Sequence, residues 1–153
     1  MFLNSHTFHS LRYGTLSVEE LVKQAADSGA KELVLTDINT VTAIYDFKKE
    51  CEKFNIKPIV GVEIRRENEL LYITIAKDET GIGEINRLLT NHNCYDSELL
   101  KVSPDFQIVI VIYSLKNGPD NLIENDFIGV RAQELNLLIR LECQQFLDKM
   151  VIL

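Results

Sequence analysis

Three short apolar segments of this sequence each lead into a side chain that can bind a metal ion or transfer a proton. Each segment is predicted to be a strand, the first at residues 3–6, and the three segments end at His6, Asp37 and Glu63. Imidazole and carboxylate groups are the usual ligands of divalent ions in hydrolytic metal centres. Because the parallel strands of a β/α architecture end on one common face, the sequence predicts that these side chains lie close together on that face.

The stretches between these side chains have the pattern of amphipathic helices. Ser17-Val18-Glu19-Glu20 forms a capping box and Gly29 suits a left-handed helix end, so a helix is predicted between them, followed by a strand at 32–37. A second helix is predicted before Lys57-Pro58, which leads into a strand at 59–64. The apolar stripe of this second helix consists of Val41, Ile44, Tyr45, Cys51 and Phe54.

The second half of the chain departs from strict alternation of strand and helix. Residues 65–69 are short and polar, so 70–76 is predicted as the return strand of a hairpin. Asp78-Glu79-Thr80 offers a cap for the helix that follows. The remaining predicted elements are a loop at 91–104, a strand at 108–112, a short strand at 127–130, a helix at 135–147 and a strand from 150. The predicted fold class is α/β, as part of a distorted, TIM-like β/α barrel.

Composition and charge narrow the class of protein. A length of 153 residues with 46% hydrophobic content predicts one domain with a real core. The net charge of −7 argues against a domain that binds nucleic acid by itself. The basic pairs Lys48-Lys49 and Arg65-Arg66 lie beside acidic residues, so both are predicted to be solvated surface. There is no signal-peptide pattern and no apolar run of bilayer length, which predicts a cytoplasmic protein without membrane contact.

Three further features bear on chemistry and organisation. Cys51, Cys94 and Cys143 are widely spaced and lack a CxxC motif, so buried free thiols are predicted. The sequence has neither a glycine-rich phosphate loop nor a nucleophile elbow. The apolar run 150–153 at the end suggests a piece of a longer chain, and we expect such a piece to self-associate through the open side of its barrel.

Several segments together resemble the polymerase and histidinol phosphatase (PHP) domain, in the form found in bacterial replicative polymerases. These segments are 3–7 with Ser10, Gly14 and Ser17; 35–37 with Asn39; 57–63; 76–78 with Gly81; 126–131; and 148–153. The run Lys-Pro-Ile-Val-Gly-Val-Glu at 57–63, in register with the other motifs, is the specific part of the match. The resemblance implies a single domain over 1–153, which would be the amino-terminal portion of a PHP domain in a longer polymerase chain.

The resemblance also implies a damaged metal site. Intact members have His-x-His where this chain has Asn4-Ser5-His6, and Asp-His where it has Asp37-Ile38. Glu63 falls on the family's glutamate, and Leu71 falls on a further histidine. With three imidazoles replaced, His6, Asp37 and Glu63 are the surviving positions of a degenerate metal site that we expect to be unoccupied. The family's remaining ligands would lie beyond Leu153.

Each surviving side chain also has a structural role that competes with metal binding. His6 is predicted to be a rim histidine that hydrogen-bonds Asp37 or a backbone carbonyl. Asp37 and Asn39 both suit the cap of a helix that begins near Val41. Glu63 needs a partner or a shifted pKa, because it ends an otherwise apolar strand.

The resemblance implies DNA replication as the function of the parent protein, with this segment structural or serving for docking. Its implied partners are the other domains of the polymerase alpha subunit and a proofreading subunit, and DNA would be contacted only through the full polymerase. No catalytic residue and no cofactor are expected within the segment itself. The alternatives are a metal-dependent 3′-5′ exonuclease or phosphoesterase holding Mn, Zn or Fe, and a free-standing phosphatase of the histidinol-phosphate type.

Overall fold

A computed structural model of the protein describes residues 3–134 and 148–153. Its helices are α1 (Val18–Asp27), α2 (Ile44–Lys53) and α3 (Glu79–Tyr95), and a short 3₁₀ turn spans Ala132–Glu134. Its strands are β1 (Glu32–Leu35), β2 (Lys57–Arg66), β3 (Glu69–Ala76), β4 (Val109–Ser114), β5 (Asp126–Val130) and β6 (Met150–Ile152).

The described strands form one six-stranded sheet in the order β1-β2-β3-β4-β5-β6. The pairs β1–β2, β4–β5 and β5–β6 are parallel, whereas β3 is antiparallel to both of its neighbours. Five strands therefore point the same way and β3 alone is reversed. The sheet curls into a half-barrel, which confirms the predicted α/β fold and the predicted hairpin between β2 and β3.

Hydrophobic clusters cover both faces of this sheet. On the helix-covered face, α1 and α2 pack over β1 through Val22, Leu33 and Phe47. The largest cluster lies beneath α3 and contains Ile85 and Leu89 of that helix together with residues of β2 to β5. A third cluster contains Val34, Ile73, Ile75 and Ile112, which are at most 7% exposed, and lines the concave face of the half-barrel.

Two helices begin as their cap sequences predict. At α1, the Ser17 hydroxyl accepts a hydrogen bond from the Glu20 amide at 3.2 Å, and the Glu20 carboxylate accepts from the Ser17 amide at 2.8 Å. Gly29 has a φ of 75° after the helix, a conformation that glycine adopts without steric cost. At α3, the Asp78 carboxylate accepts hydrogen bonds from the amides of Thr80 and Gly81.

The prediction of a strand at residues 3–6 is wrong. This segment runs beside β1, where the Ser5 carbonyl accepts from the Thr36 amide at 2.9 Å. The Ser5 amide, however, donates to the Thr36 hydroxyl at 3.1 Å rather than to a backbone carbonyl. The Thr36 side chain therefore replaces a backbone carbonyl as the acceptor for the Ser5 amide, and no regular strand forms.

The prediction for the second helix was wrong at its start and on part of its face. α2 begins at Ile44, and its cap residue Ala43 makes no side-chain hydrogen bond, so neither Asp37 nor Asn39 caps it. Tyr45 is 77% exposed and Phe54 is 42% exposed, although both belonged to the predicted apolar stripe. The buried side of the helix is formed by Phe47, which the prediction missed, and by Cys51, which belongs to the predicted stripe.

The region after α3 also differs from the prediction. α3 continues to Tyr95, so the predicted loop from Asn91 begins only at Asp96, which has a φ of 53°. Cys94 is exposed, which contradicts the prediction of a buried thiol, whereas Cys51 is buried as predicted. The predicted helix at 135–147, with Cys143, lies outside the described residues. Within the described part of the chain, no helix has the length and apolarity needed to span a membrane.

Candidate functional site

The predicted site residues lie together next to the end of β1, with Asp37 just after β1 and Glu63 within β2. Asp37 and Glu63 lie on adjacent backbone segments. The Glu63 amide donates to the Asp37 carbonyl at 3.2 Å, and Ile38 forms an isolated parallel bridge with Glu63. The segment beside β1 brings His6 to the same place, with its Nε2 atom 3.1 Å from Glu63 Oε2. The partner of His6 is thus Glu63, not Asp37 or a backbone carbonyl as predicted.

Glu63 is a fully buried carboxylate, with 0% exposure, that protein groups surround. Its Oε2 atom accepts from Asn4 Nδ2 at 3.0 Å and contacts His6 Nε2. Its Oε1 atom accepts from Arg65 Nε. Both carboxylate oxygens therefore have hydrogen-bond partners within the protein. The sequence predicted that Glu63 needs a partner, and the structure gives it three.

The pKa of Glu63 is a balance between burial and these partners. Burial raises the pKa, but the hydrogen bonds from His6 and Arg65, the electrostatic attraction of His6 and the hydrogen bond from Asn4 together outweigh it. The resulting pKa is about 2, below the ordinary value of 4.5. Glu63 is consequently ionised at neutral pH and electrostatically compensated within the protein.

Asp37 is only 2% exposed and serves a different purpose. Its Oδ1 atom accepts from the Thr7 amide at 2.7 Å and from the Ser10 hydroxyl at 2.6 Å, and its Oδ2 atom accepts from the Thr7 hydroxyl at 2.6 Å. The Ser10 hydroxyl also accepts from the Ile38 amide at 2.9 Å. Asp37 therefore holds the turn at residues 7–10 against the end of β1.

Arg65 is the residue of this site that the sequence analysis missed, since the pair Arg65-Arg66 was predicted to be solvated. Its side chain is 12% exposed, with Nε on Glu63, Nη1 3.0 Å from Tyr13 Oη, and Cζ 4.2 Å from the centre of the Tyr13 ring. A signal was present: residues two apart on a strand share a face, which places Arg65 beside Glu63. Arg66 alone fits the prediction, because its partners Glu69 and Glu98 are surface residues.

Asn4, Ile38 and Leu71, the positions at which the resemblance predicts histidines in intact members, have different surroundings. Asn4 joins Glu63 to the neighbouring strand, because its Oδ1 atom accepts from the Thr36 hydroxyl at 2.7 Å. Ile38 is partly exposed beside Glu63. Leu71 is 1% exposed and belongs to the hydrophobic cluster beneath α3. Hydrocarbon thus stands at two of these positions and an amide at the third.

The donor set does not fit a metal centre within the described ranges. A polynuclear site needs several neutral imidazoles and carboxylates with free lone pairs. Here the oxygens of Asp37 and Glu63 accept hydrogen bonds from protein donors, and the Arg65 guanidinium lies against Glu63. Among residues 3–134 and 148–153, no group of three or more His, Cys, Asp and Glu side chains is arranged to hold an ion.

Comparison with known proteins defines the class to which this fold and site belong. A model of the PHP domain family matches residues 3–124, which is more than half of the chain. The chain belongs to the PHP domain family, as its motifs predict.

Several DNA polymerase III alpha subunits are among the relatives of this chain. The DNA polymerase III subunit alpha of Ureaplasma parvum is 28% identical over 110 residues, which cover 72% of this chain and 11% of that protein. The same subunit of Buchnera aphidicola is 31% identical over 101 residues, covering 66% and 8%. That of Staphylococcus aureus is 33% identical over 90 residues, covering 57% and 8%. The chain is homologous to the PHP region of these subunits and spans about a tenth of their length.

Among solved structures, a protein from Bifidobacterium adolescentis described as a metal-dependent phosphoesterase aligns with a TM-score of 0.47. The sequences are 22% identical, and the alignment covers 58% of this chain and 31% of that chain.

Proposed function

We propose that this chain is the amino-terminal PHP portion of a cytoplasmic, bacterial replicative polymerase alpha subunit, and that it contributes structure and a docking surface rather than hydrolysis. The observation that carries the proposal is the engagement of both surviving carboxylates by the protein itself. Asp37 accepts three hydrogen bonds from Thr7 and Ser10, and Glu63 is bound by Asn4, His6 and Arg65.

The energetics of metal binding support this proposal. An ion must lose part of its hydration shell, and ligand bonds offset that cost only when enough free donors are available. To bind Glu63, an ion would have to displace the hydrogen bonds that stabilise its ionised form. Ile38 and Leu71 supply hydrocarbon where the family supplies imidazole, so they offer no compensating bonds.

The parent protein and its partners belong to the same proposal. The relatives are far longer than this chain, so the natural polypeptide would place residues 1–153 in the amino-terminal portion of a PHP domain followed by polymerase domains. Those domains and a proofreading subunit are the proposed partners. The net charge of −7 favours DNA contact through the full polymerase rather than through this segment.

Metal analysis and hydrolysis assays on the purified chain test the proposal. The chain is dialysed against Mn²⁺, Zn²⁺ or Fe²⁺, freed of unbound ion, and analysed for metal content. It is then incubated with a 3′-labelled single-stranded DNA and with a chromogenic phosphate monoester. We expect substoichiometric metal and no hydrolysis above the buffer rate, with circular dichroism showing that the preparation is folded.

The opposite result would support the alternative of a metal-dependent exonuclease or phosphoesterase. Near-stoichiometric metal, together with hydrolysis that Asp37→Ala abolishes, would overturn the proposal. Glu98→Ala is the matched control for a contaminating hydrolase, because Glu98 is an exposed carboxylate paired with Arg66 outside the site. An activity that is equal in the wild type and in both variants comes from a contaminant and leaves the chain itself inactive, as proposed.

A further inference from the structure

Arg65 is held in place from two sides. Its guanidinium lies between the Glu63 carboxylate and the Tyr13 ring, and its Nη1 atom also donates to the Asn68 carbonyl at 3.1 Å. Its backbone is clamped by Asn39, whose Oδ1 accepts from the Arg65 amide at 2.9 Å and whose Nδ2 donates to the Arg65 carbonyl at 2.7 Å. Both the charge and the main chain of this residue are therefore fixed.

The clamp depends on two local irregularities. The register of β2 against β3 shifts between Ile64 and Arg65, which interrupts the regular hydrogen-bond ladder. At this point the Asn39 side chain makes the hydrogen bonds to the Arg65 backbone. Asn39 has a φ of 50°, a conformation that asparagine tolerates better than most residues. Its own amide donates to the Glu63 carbonyl at 3.1 Å. One asparagine thus positions both members of the Arg65–Glu63 pair.

Arg66, the next residue along β2, is a surface arginine with which Arg65 can be compared. The Arg66 side chain is 38% exposed and pairs with Glu69 and Glu98, whose side chains are 37% and 67% exposed. Exposed pairs of this kind contribute little to stability, because water screens them. By contrast, the side chains of Arg65 and Glu63 are 12% and 0% exposed, so the loss of either partner would leave a charge in a poorly hydrated place.

We propose that Arg65 is a built-in replacement for a metal cation, compensating Glu63 and holding the strand ends together without any bound ion. This inference deepens the proposed function, on which it rests, by naming the residue that fills the cation's electrostatic role. It also explains why a fully buried glutamate persists next to Ile38 after three imidazole positions are gone. Arg65 acts through Glu63, and it is a positioning residue.

The test is a double-mutant cycle read by thermal unfolding. Arg65→Ala should lower Tm by about 10 °C, because it removes the guanidinium charge from the buried Glu63 carboxylate and leaves Glu63 Oε1 without its donor. In the Glu63→Gln background the same substitution should lower Tm by less than half as much. Arg65→Lys should recover at least half of the loss, since it restores a positive charge. Arg66→Ala is the matched control and should change Tm by no more than about 2 °C.

A second measurement separates a replaced cation from ordinary packing. Millimolar MnCl₂ should raise the Tm of Arg65→Ala, because the ion can compensate Glu63 in the space that the guanidinium leaves. It should not raise the Tm of the wild type or of the Arg65→Ala, Glu63→Gln double variant. MgCl₂ at the same concentration controls for general salt effects.

Two outcomes would overturn the inference. Equal losses of Tm from Arg65→Ala in the Glu63 and Glu63→Gln backgrounds would mean that the arginine acts by packing. An unchanged Tm of Arg65→Ala in MnCl₂ would mean that it does not stand in for a metal ion. These failures differ from failure of the proposed function, which is metal retention and hydrolysis by the wild type.

Discussion

At the scale of single residues, the site is a set of buried charges and hydroxyls that satisfy one another. Asp37 and Glu63 are 2% and 0% exposed, and each is held by donors from another part of the chain. Such networks are stable when complete and costly when one member is removed. Substitutions here should therefore affect stability strongly, even though we propose no catalytic step for these residues.

The lowered pKa of Glu63 predicts a specific loss of stability in acid. Because the pKa in the folded state is about 2 and the ordinary value is 4.5, the stabilisation is present above pH 4.5 and disappears as the pH falls through 2. We expect about 3 kcal/mol to be lost across this window. Urea unfolding over the same range should show a weaker pH dependence for Glu63→Gln. Identical pH dependence in the two proteins would contradict the prediction.

Two buried tyrosines that pack edge to face predict opposite effects of the same substitution. Tyr72 and Tyr113 are both 0% exposed, with ring centres 5.7 Å apart. Tyr72 Oη has no hydrogen-bond partner among the described residues, whereas Tyr113 Oη donates to Ser103 Oγ at 2.9 Å and accepts from the Ser103 amide at 3.1 Å.

Tyr72→Phe should therefore leave the free energy of unfolding unchanged or raise it by up to about 1 kcal/mol, because it removes a desolvated hydroxyl. Tyr113→Phe should lower it by about 1–2 kcal/mol, because it leaves the Ser103 groups without their partner. Chemical denaturation of both variants measures the difference. A larger loss for Tyr72→Phe than for Tyr113→Phe would show that the Tyr72 hydroxyl has an acceptor.

At the scale of elements, sequence patterns predict a helix end or a turn correctly where residues close together in the sequence determine it. The caps at Ser17 and Asp78 and the hairpin between β2 and β3 follow from neighbouring residues alone, so the sequence predicts them. The segment at 3–6 depends on the Thr36 side chain, which is distant in sequence, and its irregular pairing could not be predicted from alternation. Periodicity likewise cannot fix the start of α2, which has no side-chain cap.

The same distinction applies to the candidate site. Strand ends and residue types identified His6, Asp37 and Glu63 from the sequence. Arg65 was predicted to be solvated because it has an acidic neighbour in the sequence, and formal charge gives no information on which partner it meets in the fold. The contacts that engage Asp37 come from Thr7 and Ser10, about thirty residues away, and only the folded structure shows them.

Helix α3 offers a matched pair of glycines for testing its contact with the sheet. A Cβ atom on Gly81 would lie 2.4 Å from the Ile108 carbonyl oxygen, which also accepts from the Lys77 amide at 3.0 Å. A Cβ atom on Gly83 would meet nothing within 4 Å.

Gly81→Ala should thus lower the free energy of unfolding by about 1–3 kcal/mol, because the start of the helix must move away from the strand. Gly83→Ala should raise it by about 0.5–1 kcal/mol, because alanine favours the helical backbone. Urea unfolding of both variants provides the comparison. Similar gains in both would mean that the helix start has room to shift.

At the scale of the whole molecule, the concave face of the half-barrel is apolar. Besides its buried centre, the cluster on this face includes the partly exposed side chains Leu3, Ile59, Ile110, Phe127 and Val151. A cavity of about 380 Å³ opens along it, lined by Leu3, Ile59 and Ile110 among others. β6 is an edge strand of the described sheet, and its Ile152 is 70% exposed.

The isolated chain of 153 residues should consequently self-associate as its concentration rises. Sedimentation velocity over a concentration series should show a dimer or a larger species, and Ile152→Lys should weaken the association by placing a charge at the sheet edge. Leu11→Lys is the matched control, since Leu11 is 81% exposed on a loop that is not part of the sheet. A strictly monomeric wild type would contradict the prediction.

The order of the strands in the sheet matters for how the chain acquires its structure during synthesis. Because each described strand lies beside the strand that precedes it in the sequence, every new strand leaving the ribosome meets a partner that is already exposed. The segment at residues 4–10 forms its contacts later, since Thr36 and Asp37 follow it by about thirty residues and Glu63 follows His6 by 57. The emergence of Glu63 and Arg65 would therefore complete the contacts of residues 4–10 with the sheet, before translation of the later strands.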